Sequence, residues 1–178
     1  MRLRRSVVRG PGFGSVRRTL VIDNPEVLRS VRALLRRPDR SDRLLVCRNS
    51  AGWTDIHADD LNARFKELVG DEYTVKDLRT WHGTVLAAEA FVDADPPANK
   101  KVIKRVESAV MKEVSEALGN TPAVTRSSYV DPRVVEGYQE GLTIAPAVRR
   151  AARTRAVDER QSILERSTAR MIRRVAKS

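Results

Sequence analysis

Asn120-Thr-Pro-Ala-Val-Thr-Arg-Ser-Ser-Tyr129, followed by Val130-Asp-Pro132, is the stretch on which the reading of this chain turns. Pro122 suits the first turn of a helix, where its missing N–H is no loss. The short helix it opens delivers Tyr129 at its end, and Asp131-Pro132 begins another. About fifty residues upstream, Lys76-Asp-Leu-Arg79-Thr-Trp81 opens an earlier helical pattern. A phenol can attack a phosphodiester, and a guanidinium can neutralise the phosphate oxygens as charge builds in the transition state. That pairing needs no metal. A lone tyrosine is ordinarily a core edge or a surface ring, so only its surroundings set Tyr129 apart from Tyr73 and Tyr138.

Between these stretches the clearest amphipathic pattern runs over residues 98–118. Val102, Val106, Val110, Val114 and Leu118 recur near every fourth position, with Lys100, Lys101, Lys104 and Arg105 outward. Gly119-Asn120 ends it. The helix carrying Arg79, capped by Thr74 or Asp77, runs through Val85, Leu86 and Phe91 to Asp95-Pro-Pro97. Working back to the start, Trp53-Thr-Asp leads into a helix with Leu61, Phe65 and Leu68 inward, stopped by Gly70. Arg43–Arg48 is a short apolar strand holding Cys47 as a small buried thiol, and Asn49–Gly52 is a turn. Pro25 opens a helix with Val27, Leu28, Val31, Leu34 and Leu35 on one face, and Val16–Ile22 reads as a strand. Residues 1–15, basic and rich in Gly and Pro, read as a partly disordered loop.

Beyond Asp131-Pro132, the segment from about Ala145 to Ser178 is Ala/Arg-rich without a well-kept apolar stripe. Ten basic residues against three acids after Gly141 make it a basic helical tail, partly mobile. The expected organisation is a basic loop (1–15), one core (16–144) and the tail (145–178). The class is α+β, mostly α, with a small N-terminal β-sheet.

Composition narrows the partner. Of 178 residues, 34 are Lys or Arg and 23 are Asp or Glu, a formal net charge of +11. Such an excess favours a polyanion, of which nucleic acid is the commonest. Aromatic residues make up only 4%, too few for a single-strand stacking surface, so a duplex backbone is the expected target. One cysteine excludes a disulfide within the chain, and no His/Cys/Asp cluster has metal-ligand spacing. Gly10-Pro-Gly-Phe-Gly14 lacks the Lys-Ser/Thr of a phosphate-binding loop. Neither metal nor small-molecule cofactor is therefore expected, and the sequence leaves any protein partner open. No stretch approaches the roughly 18 apolar residues of a membrane span. The start has no signal-length apolar run. A cytoplasmic, nucleoid-associated protein is the expectation.

Both quoted segments resemble those of type IB DNA topoisomerases of the bacterial and poxvirus kind, over roughly residues 15–140. Lys76–Trp81 follows the family's Lys-Asp-Phe/Leu-Arg-Thr-Trp/Tyr, and the Tyr129 segment matches its nucleophile segment over more than ten positions. The resemblance implies the catalytic core of the DNA breaking-rejoining fold shared with tyrosine recombinases. It implies that Tyr129 attacks one strand of duplex DNA, becoming linked to the 3′ phosphate and freeing a 5′ hydroxyl. The nick is transient, and resealing needs neither ATP nor metal. Arg79 then clamps the non-bridging phosphate oxygens bidentately, a geometry lysine does not copy. Asn120 stands where poxvirus members carry histidine and bacterial members asparagine. Either donates to a phosphate oxygen, although an Asn after Gly can also cap a helix. Lys76 and Arg126 become DNA contacts, His82 a packing or supporting residue, and His57 a surface one.

The chain departs from the family's pattern in two places. A lysine in a β-hairpin of the form Gly/Ala-Lys-Ser-Gly-Lys serves the family as general acid. Here the corresponding stretch, Arg9–Arg18, has none, Pro11–Gly14 fills its tip, and the first lysine of the chain is Lys66. Arg17 and Arg18 stay protonated and cannot substitute. The family's earlier catalytic arginine and its N-terminal clamp domain have no counterpart either. The expectation is an N-terminally truncated catalytic core with impaired supercoil relaxation. The alternatives are a non-catalytic duplex-binding remnant and, against Lys76 and Asn120, a tyrosine recombinase or integrase.

Overall fold

The structure, a computed structural model, describes residues 6–11, 17–22, 24–38 and 43–177. Most of the expected hairpin tip, residues 12–14, lies outside them. The chain divides into two compact units, one ending at Val75 and one beginning at Lys76. The fold is mostly helical, with two small antiparallel sheets.

In the first unit, β1 (Ser6–Pro11) pairs with β2 (Arg17–Ile22), Ser6 opposite Ile22 and Pro11 opposite Arg17. Within the loop expected over residues 1–15, the described residues Ser6–Pro11 form a strand instead. Val7 and Val8 favour extended backbone, and Pro11 falls at the strand's end, where it is tolerated. A helix, α1 (Pro25–Leu35), follows, with Asn24 as its N-cap accepting from the Glu26 and Val27 amides at 2.9 and 3.1 Å. It buries Leu28 and Val31, whereas Val27 and Leu35 stay exposed.

A second hairpin joins β3 (Val46–Asn49) to β4 (Gly52–Asp55), so Trp53–Asp55, which leads into the next helix as expected, is itself a strand. Gly52 takes a φ of 124°, open only to glycine at little cost. Cys47 is exposed and not buried. Strand side chains alternate, and Val46 beside it takes the inward position. The next helix, α2 (Ala58–Val69), buries nothing: Leu61 and Leu68, expected inward, are exposed.

The second unit holds the main core. It comprises α3 (Val75–Ala90), α4 (Lys100–Leu118), α5 (Pro122–Ser128), α6 (Pro132–Gln139), α7 (Ala145–Ala152) and α8 (Val157–Val175). The α4 stripe buries Val106, Val110, Val114 and Leu118 as its period dictates. Phe91 stacks on Tyr138, ring centroids 4.7 Å apart, and the Tyr138 hydroxyl donates to the Asp95 carbonyl at 2.6 Å. Burial pushes the Tyr138 phenol up from its ordinary value. The expectation of a tail without an apolar stripe fails at α8, whose Ile163, Leu164, Met171, Ile172 and Val175 are buried with Thr168. Thr168 fits there because its hydroxyl donates to the Leu164 carbonyl at 3.0 Å. No helix among the described residues is long and apolar enough to cross a membrane.

Candidate functional site

Three segments of the second unit converge: the end of α4, the end of α5 and the first half of α3. At the end of α4, Gly119 takes a left-handed conformation (φ 70°), and the Gly119 and Asn120 amides both donate to the Ser115 carbonyl. The cap thus belongs to Gly119, which leaves the Asn120 side chain uncommitted. Its Nδ2 is buried and meets no hydrogen-bond partner among the described residues. An unmet buried donor costs about 1–3 kcal/mol.

Thr121 caps α5 by accepting from the Val124 amide at 3.3 Å, Pro122 fills the first helical position, and fewer than two turns later the helix delivers Tyr129. That residue is half-buried, its amide donating to the Thr125 carbonyl at 3.0 Å. The three tyrosines separate cleanly. Tyr138 is core, Tyr73 is 51% exposed, and among the described residues Tyr129 is the tyrosine with an arginine over its ring.

The segment around Tyr129 is registered on α3 by residues the sequence reading did not single out. The Thr80 hydroxyl lies 3.3 Å from the Ser128 carbonyl. Thr84, fully buried, donates to the Thr80 carbonyl at 2.8 Å and accepts from the Asp131 amide at 3.1 Å. Between them sits Gly83, where an added Cβ would come within 2.5 Å of the Tyr129 carbonyl oxygen. Only a glycine lets the tyrosine's backbone lie against the helix this closely. A glycine inside a helical pattern costs about 1 kcal/mol against alanine and signals a packing reason. That was the one available clue.

Arg79 precedes Gly83 by about one turn. Its guanidinium carbon stands 5.2 Å from the centroid of the Tyr129 ring, and its Nη2 donates to the Leu118 carbonyl at 2.5 Å. The first contact is a cation–π pairing. The second places a cation at the negative end of α4. Arg79 stays exposed, with donors left for an anion. The structure therefore brings together Arg79 and Tyr129, and links both to the α4 end that precedes Asn120.

The remaining candidates fall on the surrounding surface. Lys76 is exposed in the first turn of α3. Arg126 is exposed on α5 but paired with Glu107 of α4, so an anion at that position would compete with a carboxylate. His82 is exposed and makes no hydrogen bond among the described residues, which speaks against the packing half of its expected packing or supporting role; His57 is exposed, as expected. A shallow cleft of about 350 Å³, bordered by Asp77, Trp81, Ser127 and Pro132, adjoins the Tyr129 segment. Asp131 caps α6 by accepting from the Arg133 amide at 2.9 Å. The hydrogen bond from the Arg133 side chain holds its carboxyl below the ordinary value. Among the described residues, no group of three His, Cys, Asp or Glu side chains could hold a metal ion.

Comparison with known proteins bears on this arrangement. The sequence profile of a family described as eukaryotic DNA topoisomerase I, catalytic core, matches residues 15–155. The DNA topoisomerase 1B of Acanthamoeba polyphaga mimivirus is 34% identical over 83 residues, a match covering 45% of this chain and 25% of the viral protein.

Proposed function

The chain belongs to the DNA topoisomerase I catalytic-core family, and from that premise we propose that it nicks and reseals one strand of duplex DNA through Tyr129. In this reading the Tyr129 oxygen attacks the scissile phosphorus, forming a phosphotyrosyl ester while the bond to the 5′ oxygen breaks. The phenol's proton passes to solvent, and the departing 5′ oxygen takes one up. Resealing reverses both steps. The ester preserves the bond energy, so no nucleotide is consumed.

Arg79 stabilises the non-bridging oxygens, Asn120 donates to one of them, and Lys76 and Arg126 hold the flanking backbone. The observation that carries the reading is the 5.2 Å approach of Arg79 to the Tyr129 ring, with both residues anchored independently. A phosphate entering beside that ring meets the guanidinium at once. Asn120's unpartnered Nδ2 supports the same site.

The weak point of the chemistry is the leaving group. The β1–β2 stretch carries no lysine, and a positioned general acid contributes roughly 10²–10⁴-fold. Cleavage of ordinary DNA is accordingly slow in this reading, and the lysine gap favours a purely duplex-binding protein as the second reading. A duplex bearing a 5′-bridging phosphorothiolate separates the two, because sulfur leaves without protonation. The chain should form a covalent adduct with it, and Tyr129→Phe should not. Failure of the parent chain, or an adduct formed equally well by Tyr129→Phe, would overturn the cleavage reading.

A further inference from the structure

The geometry points to a second duplex-contacting surface on α8, formed by Arg166, Arg170, Arg173, Arg174 and Lys177 and fitted to the sugar–phosphate backbone. This rests on the DNA reading above but not on its chemistry. The family match covers residues 15–155, and α8 begins at Val157, outside it.

All five are exposed. Their spacing puts them on one face of the helix, continued by Lys177 just past its end. The opposite face carries Leu164, Thr168, Met171, Ile172 and Val175, all buried. Arg170, Arg173 and Lys177 make no ion pair among the described residues. The α7 helix packs on α8 and adds exposed Arg149 and Arg150 in its last turn.

A solvated basic face is the ordinary explanation for such a pattern. Cations in a last turn also complement the helix dipole, which accounts for Arg173 and Arg174. It does not account for Arg166 and Arg170, which lie further upstream. Arg166, Arg170, Arg173 and Lys177, set along one line, repel one another, and an anion lying across them relieves that repulsion. The stretch from Arg166 to Arg174 is about 12 Å long. A duplex offers one phosphate charge per roughly 1.7 Å of axis, so several phosphates fall within reach. Guanidinium is also the group best shaped for phosphate. Residues 145–178 contain no Phe, Trp or Tyr, so the surface offers unstacked bases no platform and fits a duplex over a single strand.

The test replaces Arg166, Arg170, Arg173 and Lys177 by Gln, exposed positions whose change leaves the core intact. Binding to a short duplex is followed across a salt series by fluorescence anisotropy. Loss of two to four phosphate contacts should make the slope of log K against log salt shallower by roughly 1.8–3.6, at about 0.9 per contact. In the parent chain, α8 amide resonances should shift on addition of duplex. They should shift less with a single strand of the same length, and not with phosphatidylserine-containing vesicles. An unchanged slope overturns the proposal, as do equal shifts with the single strand or the vesicles. An unchanged slope beside normal phosphorothiolate adduct formation sinks this inference alone. A shallower slope beside a parent chain that forms no adduct sinks only the cleavage reading.

Discussion

Replacing Gly83 by alanine tests whether the backbone contact at Tyr129 sets the chemistry. The new methyl would stand 2.5 Å from the Tyr129 carbonyl oxygen and 3.0 Å from Leu118 Cδ1. Ordinary contact begins at 3.4 Å, so the tyrosine's carbonyl must retreat by about 0.9 Å. Little can yield elsewhere, because Thr84 ties Asp131 and Thr80 meets Ser128 on either side of the intrusion. Two effects oppose each other in stability. Alanine favours the helix by about 1 kcal/mol, while overpacking costs typically 1–3 kcal/mol, so the variant should fold with a modest net loss. Catalysis should suffer more. Arg79 is fixed to α4 by the Leu118 carbonyl, so the ring moves while the guanidinium stays. A displacement near 1 Å costs on the order of a hundredfold in rate. Single-turnover adduct formation with the phosphorothiolate duplex should therefore fall about 30- to 100-fold, with duplex affinity nearly unchanged. Adduct formation at the parent rate by a folded Gly83→Ala chain would refute the argument.

Other outcomes follow from the same geometry. Arg79→Lys keeps the charge but loses the bidentate fork, so adduct formation should fall roughly 10²–10³-fold with little change in duplex affinity; a loss below tenfold would remove Arg79 from the transition state. Asp131→Asn keeps a capping oxygen and loses the Arg133 ion pair. Because the folded carboxyl titrates below 3.8, its contribution is complete above that pH and is lost as pH falls through the lower folded value. The parent should melt higher than Asp131→Asn near neutrality, with the gap closing in strong acid; a gap independent of pH would contradict the assignment.

The sequence made the second unit's skeleton legible because its signals are local. The α4 period, the prolines at positions 122 and 132, and Gly119 each fix a helix or its end within one turn. Their flanking motifs singled out Tyr129 and Arg79, and the structure places the two side by side. Thr80, Gly83 and Thr84 were not legible, since their partners lie almost fifty residues away in sequence. In the first unit the errors share a cause. Gly10 and Pro11 outweighed Val7 and Val8 in the reading of β1, and apolar Leu61 and Leu68 suggested a core that their helix does not meet. The α8 stripe was hidden by Thr168, a polar residue whose hydroxyl is satisfied by its own helix.

The energetic costs at this site help decide between a catalyst and a plain duplex binder. A binder of phosphate backbone needs exposed cations, which the outer faces of α4 and α8 already supply. It has no use for a helix-interior glycine at position 83, which forgoes about 1 kcal/mol of helix stability. Nor does it need the buried, unmet amide of Asn120, at about 1–3 kcal/mol. Gly83 lies against the Tyr129 backbone, and Asn120 directly follows the α4 end to which Arg79 is tied. Local costs of this kind are what a preorganised site imposes on its scaffold. The missing lysine acts on a different step, protonation of the leaving oxygen, and leaves the attack geometry untouched. The two observations are therefore compatible under the proposed mechanism, in which attack and protonation of the leaving group are separate demands, and this is why the sulfur-bridged duplex discriminates better than ordinary DNA.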